Sequence, residues 1–406
     1  SGMRNVLLAY AAKLTQAMRT AQSRQPAASE LTPVVLQRGF AQLTQAFDKT
    51  YGGFGRAPKF PTPHNLMFLL SYYRRTKETE ALAMVEKTLD GMRAGGIYDH
   101  LGFGFARYSV DEKWIVPHFE KMLYDNALLA YVYLAAAEES GKKQYAKVAE
   151  EILTYVLNNL TGPQGEFYSA EDADSDAGEG SFYTWTQAEL KEALGADKAE
   201  IFAGYYNVTA KGNFERGTNI LHTVGILPEE YAARHKLSAA ELGDVLEECR
   251  KKMAIRRGKR RRPFRDDKVL LSWNCLMVVA LAKAFRVLDR VIYRVTAEKC
   301  LDFLLKQLRR QDGRLLTGYR DGEARNVAYL DDYSFLLWAL LEMQTNAPNA
   351  ENLAKARDLA DEMIRLFWNG ADCAFYLTGA DSEPLLIRPR EWVDAALPSG
   401  SSVAVR

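Results

Sequence analysis

The segment Trp114–Asn126 gathers the side-chain types that acid–base chemistry needs. Pro117 suits a first helical turn, which would put His118 and Asp125 on one helix face and Glu120 and Tyr124 on another. Histidine transfers protons near neutral pH, and carboxylates can act beside it as acid or base. The segment therefore predicts His118, Glu120 and Asp125 as catalytic residues and Tyr124 as a substrate contact. The alternative is helix capping within a satisfied buried polar network.

A glycine-rich loop just before this segment supplies further candidates. His100, Arg107 and Tyr108 lie among glycines that let a backbone approach a ligand closely. Epimerisation next to a carbonyl needs a base on one ring face and an acid on the other. We therefore expect His100 or His64 to oppose His118, with Arg107 polarising the carbonyl. Tyr108 is a further predicted substrate contact.

An acidic stretch at residues 169–180 forms a second cluster. Its carboxylates Glu171 and Asp172 are predicted substrate contacts, because paired carboxylates serve sugar chemistry. The alternating aspartates up to Asp176 resemble the first ligands of a calcium loop, but Ala177 and Tyr183 stand where that loop needs Gly and Glu. An EF-hand is therefore not expected, although another metal site built from oxygen ligands stays open; no metal and no cofactor are assigned. A solvated acidic loop is the alternative.

Polar and aromatic residues recur at the starts of other apolar helices. Sugar rings stack their C–H faces on indoles and phenols, so aromatic side chains around a polar pit suit a sugar. The remaining predicted substrate contacts are Trp114, Trp273, Asn274, Asp331 and Asp332. For any single aromatic residue among them, a place in the hydrophobic core is the alternative.

Two kinds of helix alternate along the chain. Residues 144–160, 296–308 and 353–368 are amphipathic, whereas 127–137, 276–282 and 335–341 are apolar on every side. Six Gly/aromatic hairpin signals separate them, near Gly52, Gly95, Gly165, Gly258, Gly313 and Gly370. A half-exposed helix paired with a fully buried one, repeated six times, closes into two concentric rings. The sequence predicts an all-α fold, an (α/α)6 toroid with short β-hairpins in its loops, in preference to an open superhelix.

The spacing of the inner helices sets the predicted boundaries. The inner starts align at Asn65, Asn126, Asn274, Tyr333 and Ser401, and the double gap before Asn274 predicts a missing third inner helix within 186–206. Residues 1–30 are predicted to form an N-terminal helix and linker, with 25–29 as the linker, and 31–406 the toroid domain. The chain ends barely into a sixth inner helix, so a truncated C-terminus is expected.

The charge balance, the apolar stretches and the cysteines of the chain indicate which partners and compartments to expect. Lys and Arg number 53 and Asp and Glu 52, a balance that argues against a nucleic-acid partner. The basic run 250–265 is expected to be a solvated outer helix leading into a loop. The chain has no charge-free stretch of ~18 apolar residues, so no membrane span is expected. The four cysteines are scattered, which favours a reducing compartment and a cytoplasmic location.

Several motifs together resemble one known family. They are residues 54–61 (FGRAPKFP), 108–114 (YSVDEKW), 117–125 (PHFEKMLYD), 170–175 (AEDADS), 266–274 (DDKVLLSWN) and 398–400 (PSG). The chain resembles the YyaL / spermatogenesis-associated protein 20 family, a DUF255-type family. Cys275 stands where the family usually has Gly, and Ser401 where it usually has Asn. The resemblance implies a six-hairpin glycosidase-like toroid similar to N-acylglucosamine 2-epimerases and cellobiose epimerases, and a thioredoxin-like domain in the full-length protein that is not in this chain.

Three functions follow as hypotheses. The first is a sugar epimerase or isomerase that acts on a small-molecule substrate through histidine. The second is a glycoside hydrolase that uses Asp125 with Glu171 or Asp172. The third is a non-catalytic ligand-binding or scaffold module that serves the thioredoxin-like domain.

Overall fold

The computed structural model describes residues 2–22, 32–175 and 178–406. The linker predicted at 25–29 and the carboxylate Asp176 lie outside these residues. The helices are α1 (Gly2–Gln22), α2 (Val34–Ala46), α3 (Pro63–Thr76), α4 (Thr79–Ala94), α5 (Leu123–Ser140), α6 (Lys143–Asn159), α7 (Gln187–Leu194), α8 (Ala196–Tyr205), α9 (Pro228–Arg234), α10 (Ala239–Arg257), α11 (Leu271–Leu288), α12 (Val291–Gln307), α13 (Leu330–Asn346), α14 (Ala350–Phe367) and α15 (Gly400–Ala404).

The strands are short and lie in the loops. They are β1 (Tyr108–Ser109), β2 (Pro117–His118), β3 (Lys121–Met122), β4 (Ala170–Glu171), β5 (Asp174–Ser175), β6 (Gly178–Glu179), β7 (Arg265–Asp266), β8 (Val269–Leu270), β9 (Leu316–Arg320), β10 (Glu323–Val327), β11 (Trp368–Asn369) and β12 (Ala374–Phe375). β1 pairs with β2, β5 with β6, and β11 with β12. Two three-stranded sheets have the orders β3-β4-β7 and β10-β9-β8, and every pairing is antiparallel.

The predicted α/α toroid with hairpins in its loops is confirmed. Five outer helices, α2, α4, α6, α12 and α14, each run into a tight hairpin, and the chain then returns as an inner helix, α3, α5, α11, α13 or α15. The inner helices pack side by side in that order. They are apolar all round because they are covered on all sides: every residue from Leu123 to Ala136 of α5 is buried.

The third inner helix predicted within 186–206 is not there. That part of the chain forms the short helices α7 and α8, which pack with α10 around a core of their own that includes Trp185 and Phe202. α5 packs directly against α11, so no inner helix fits between them. The chain leaves the toroid at β4 and returns at β7, which pair with each other. Residues 172–264 are therefore an insertion in the loop between α6 and α11.

α11 is the one described helix whose length and composition would let it cross a membrane, and 67% of it is buried inside the molecule. It lies between α5 and α13 in the inner row. Its charged Lys283 is paired with Glu138 of α5 across 2.6 Å. These contacts explain its apolar composition as that of a core helix.

Candidate functional site

The segment that carries His118 is extended, contrary to the helical turn predicted at Pro117. β2 pairs with β1, and helix α5 begins only at Leu123, after Met122 in an extended conformation. Strand pairing uses the backbone groups that a helical turn would need, so the predicted helix faces do not form. Side chains alternate along an extended segment. His118 and Glu120 consequently lie on one side, and Pro117, Phe119 and Lys121 line a small cavity on the other.

His118 is held by a carboxylate that the sequence did not indicate. Its Nδ1 donates to Glu179 Oε1 over 2.8 Å, and its ring stacks on Tyr108 with centroids 5.1 Å apart. A neutral ring that donates through Nδ1 keeps the lone pair on Nε2, which lies 3.6 Å from Glu120 Oε2. The side chain is 27% exposed, so Nε2 is within reach of a ligand.

Arg107 links Glu120 to Tyr124 at the start of α5. Its Nη1 donates to Glu120 Oε2 over 3.1 Å, and its guanidinium interacts with the Tyr124 hydroxyl. Asp125 is 4% exposed, and its Oδ2 has no hydrogen-bond partner among the described residues; the same holds for Arg107 Nε. Burial raises the pKa of Asp125 well above its usual range, although Arg107 and a hydrogen bond with the Tyr124 side chain oppose the shift. Burial therefore favours the neutral form of the Asp125 carboxyl group.

The starts of the inner helices meet at one end of the toroid. Trp273 of α11 meets the Tyr124 ring nearly edge-on, with centroids 4.8 Å apart. Asp332 of α13 accepts the backbone N–H of Ser272 over 3.1 Å, and so ties α13 to α11. Gly400 of α15 lies against Asp331 so closely that a Cβ there would be 2.2 Å from Oδ1. We call the starts of α3, α5, α11, α13 and α15 the inner-helix mouth.

Burial is the main cause of the pKa shifts of the titratable groups at the mouth. Burial raises the pKa of Asp331 to about 7, and Glu391 adds to the change. It raises the pKa of Asp332 to about 6, against its hydrogen bonds. Burial also lowers the pKa of His64, while Asp394 opposes the change. Asp331 Oδ1 and His64 Nδ1 have no hydrogen-bond partner among the described residues.

These raised carboxyl pKa values predict a stability that falls as pH rises. The folded state binds the protons of Asp331 and Asp332 more tightly than the unfolded state, so their contribution is complete below about pH 4 and is lost as pH rises through about 6 and 7. A pKa that differs by one between the folded and unfolded states corresponds to about 1.4 kcal/mol. In urea denaturation, Asp331→Asn should therefore gain stability relative to the wild type between pH 4 and pH 8. The exposed Asp321→Asn is the control, and parallel curves for all three proteins would contradict the prediction.

Trp114, Glu171 and Asp172 lie apart from the mouth cluster. Trp114 is fully buried, and its indole N–H donates to Tyr51 O over 3.0 Å. Glu171 is paired with Arg262 at 2.8 Å and accepts the Tyr155 hydroxyl at 2.7 Å. Asp172 is exposed on the insertion.

Asn274 holds a loop in place. Its amide accepts Phe167 N–H over 2.8 Å and donates to Phe167 O over 2.9 Å. Asn126 makes the same pair of bonds to Phe105 at the start of α5. Both amide groups are occupied by backbone, so Asn274 positions the hairpin before its helix.

His100 does not lie on the side of the β2 segment that carries His118. Its Nδ1 is 3.1 Å from Arg93 Nη1, and its Nε2 is 2.9 Å from Gly95 O. Arginine only donates, so Nδ1 accepts and Nε2 carries the hydrogen. His100 lines the cavity side of the β2 segment, with Pro117. It is therefore not placed opposite His118.

The basic run 250–265 contains several arginines that join elements. Arg257 is paired with Asp99 at 2.8 Å, Arg260 with Glu189 at 2.7 Å, and Arg262 with Glu171. Its helix α10 packs on α7 and α8. The run is therefore less solvated than predicted, and it fastens the insertion. Among residues 2–22, 32–175 and 178–406 no group of three or more His, Cys, Asp or Glu is arranged to hold a metal ion.

Proteins of similar sequence are longer than this chain. No protein-family model matches the chain. The chain is similar to spermatogenesis-associated protein 20. It is 35% identical to the Homo sapiens protein over 444 residues, which cover 99% of this chain and 56% of that protein. It is 34% identical to an uncharacterized protein of Caenorhabditis elegans over 400 residues, 90% of this chain and 54% of that protein. The chain thus spans about half the length of these relatives.

Solved structures give more distant likenesses. A sugar epimerase from a ruminal bacterium has a TM-score of 0.40 at 13% identity, with 92% of each chain covered. A family 76 glycoside hydrolase (mannosidase) from Bacteroides thetaiotaomicron has a TM-score of 0.49 at 11% identity, with 82% of this chain and 72% of that chain covered. A family 105 glycoside hydrolase from C. acetobutylicum has a TM-score of 0.49 at 13% identity, with 85% and 75% covered. No residue role is transferred from them.

Proposed function

We propose that the inner-helix mouth binds a sugar and changes it by acid–base chemistry, as a sugar epimerase or isomerase. One observation carries the proposal: Asp125 is 4% exposed, its burial raises its pKa, and its Oδ2 has no hydrogen-bond partner in the described part of the chain. A buried polar atom without a partner costs free energy, which a bound hydroxyl or carbonyl would recover. The same neighbourhood holds a histidine with a free Nε2.

The roles divide between the two sides of the cluster. His118 accepts a proton from the carbon next to the sugar carbonyl through Nε2, and Glu179 on Nδ1 stabilises the imidazolium that results. Asp125 donates its proton to the opposite face of the sugar carbon. It thereby takes the role of the acid opposite His118, which the sequence-based hypothesis gave to His100. Arg107 stays charged beside Glu120 and polarises the carbonyl. Trp273, which is half-buried, offers a ring face to the sugar.

Glycoside hydrolysis is the second candidate, because the mouth holds two carboxyl groups in unlike environments. Burial favours the neutral form of Asp125, whereas Glu120 is paired with Arg107. A protonated and an ionised carboxyl group are the pair that this reaction uses. Glu120 takes the place of Glu171 or Asp172 in this hypothesis.

A binding or scaffold module is the third candidate. The relatives are nearly twice as long as the matched region, so the full-length protein has room for the thioredoxin-like domain that the motifs imply. In that case the mouth would hold a ligand without changing it.

Turnover in D2O separates the three. The 406-residue chain is incubated with mannose, N-acetylglucosamine, N-acetylmannosamine and cellobiose, and products are followed by NMR. An epimer or isomer that carries deuterium at the carbon next to the carbonyl supports the proposal. New reducing ends without deuterium support hydrolysis. Thermal stabilisation without any product supports a binding module, and no product with any sugar would overturn the epimerase proposal.

Asp125→Asn should lower turnover about a hundredfold or more. The amide copies the shape of the protonated carboxyl group but cannot give up a proton, and general acid catalysis contributes about 10²–10⁴. Stability should be retained, because burial already favours the uncharged form of this carboxyl group. The control is Asp172→Asn on the exposed loop, which should keep wild-type rates. Equal rates for both variants would exclude Asp125 as the acid.

A further inference from the structure

A second cavity lies between the toroid and the insertion. It has a volume of about 480 Å³, within the range of small-molecule sites. Its walls come from α4, α5 and α6 on the toroid side and from α8 and α10 on the insertion side. None of its lining residues belongs to the cluster at the inner-helix mouth.

Aromatic rings form much of its wall. They are Phe103, Tyr133, Tyr145, Tyr205 and Tyr206. The Tyr133 hydroxyl donates to Leu89 O over 2.7 Å and is therefore occupied. Tyr145 is 1% exposed, and its hydroxyl lies near the Asp90 carboxylate and the Gln144 side chain, but neither contact has the geometry of a full hydrogen bond. One buried hydroxyl is thus left at the cavity wall for a ligand.

Arg93 presents most of its guanidinium to the same space. It stacks over the Tyr98 ring at 4.1 Å and donates one hydrogen bond, to His100 Nδ1. Burial and the Arg93 charge lower the pKa of His100 to about 3, so the imidazole stays neutral and continues to accept this bond. Glu151 Oε2 is 3.7 Å from Nη2 and already accepts the Tyr98 hydroxyl. The remaining donors of the guanidinium have no hydrogen-bond acceptor among the described residues.

The charges around the cavity cancel. Three cationic and three anionic side chains line it: Arg93, Lys147, Arg250, Asp90, Glu151 and Glu247. A charged ligand would gain little net attraction here. Donors and acceptors lie side by side around aromatic faces, and sugar hydroxyls both donate and accept.

We propose that this cavity is a second binding site, for a neutral mono- or disaccharide. The ligand hydroxyls bond to Arg93, Glu151 and the Tyr145 hydroxyl, and its ring packs on the tyrosine faces. Because the site spans α6 of the toroid and α10 of the insertion, the ligand also fastens these two parts to each other. The proposal does not depend on any reaction at the mouth.

Two variants and a matched control test it. Glucose and cellobiose binding are measured by calorimetry and saturation-transfer NMR. Tyr145→Phe removes only the free hydroxyl and should weaken Kd about fivefold, while Arg93→Gln should abolish binding at this cavity. Tyr293→Phe is the control, because Tyr293 occupies the same position in α12, the third residue, and does not line the cavity. It should bind as the wild type does.

Asp125→Asn separates this site from the mouth. Binding that survives Asp125→Asn but is lost in Arg93→Gln supports the second site, whatever the turnover experiment finds. Binding that is unchanged in both Tyr145→Phe and Arg93→Gln would overturn it, as would a failure of both sugars to bind. Tighter binding of glucuronate or glucose 6-phosphate than of glucose would overturn the neutral ligand class.

Discussion

His118→Ala should lower sugar turnover about a thousandfold and leave the unfolding temperature nearly unchanged. His118 is the imidazole that the β2 segment presents to the mouth, and in its neutral form it can accept a proton through Nε2. A general base contributes about 10²–10⁴ in rate. Its loss costs little stability because its partner Glu179 is itself half-exposed. Initial rates by NMR and thermal unfolding measure the two effects separately.

A second histidine provides the control for this variant. His235 ends α9 on the insertion and packs on Tyr231, away from the mouth. His235→Ala should keep wild-type turnover. If His118→Ala lowers the unfolding temperature as well, His118→Gln keeps a polar group beside Glu179 and isolates the chemistry. Wild-type rates in both His118 variants would contradict the assignment of the base.

The ring of helices could be predicted because the amino-acid composition of each helix depends on which of its faces are buried. A helix buried on every side has no polar face, and α5 has this composition from Ala127 to Ala136. The alignment of Asn126 with Asn274 was also informative. Both amides hold the backbone of the hairpin before their own helix, so the same residue recurs at the same structural position.

The insertion could not be separated from the ring by pattern alone. α7 and α8 have the amphipathic spacing of any half-buried helix, and spacing does not tell which core a helix packs on. Two residues of the site were missed for a similar reason. Glu179 reaches His118 from 61 positions away, and Asp394 lies near His64 through the packing of α15. Neither pairing leaves a trace in local sequence.

Trp114 was predicted to contact the substrate but lies in the core. Its type suggested a sugar platform, but its backbone turns with φ at 67° and carries the indole into the core, against glycines at 53, 91 and 95. Those glycines leave the room that the ring occupies. A side chain's direction depends on such a turn, which composition does not reveal.

Asp99→Ala should destabilise the protein by about 3–5 kcal/mol. The Asp99 carboxylate bonds to Lys121 and to Arg257, each at 2.8 Å, and all three side chains are less than 10% exposed. Arg257 and Lys121 hold the pKa of Asp99 far below its usual range despite burial. Removing the carboxylate leaves two buried cations without their partner. Urea denaturation gives the loss of unfolding free energy.

The same variant should loosen the insertion first. Asp99 follows α4, Lys121 is in β3, and Arg257 ends α10, so the carboxylate fastens the insertion to the toroid. Hydrogen exchange of α7, α8 and α10 should therefore rise more than that of α5 or α11. The exposed pair of Asp312 with Arg310 supplies the control, since Asp312→Ala should change stability by less than about 0.5 kcal/mol. An Asp99→Ala protein as stable as that control would show that the cations are hydrated, and the attachment of the insertion would then rest on its apolar contacts.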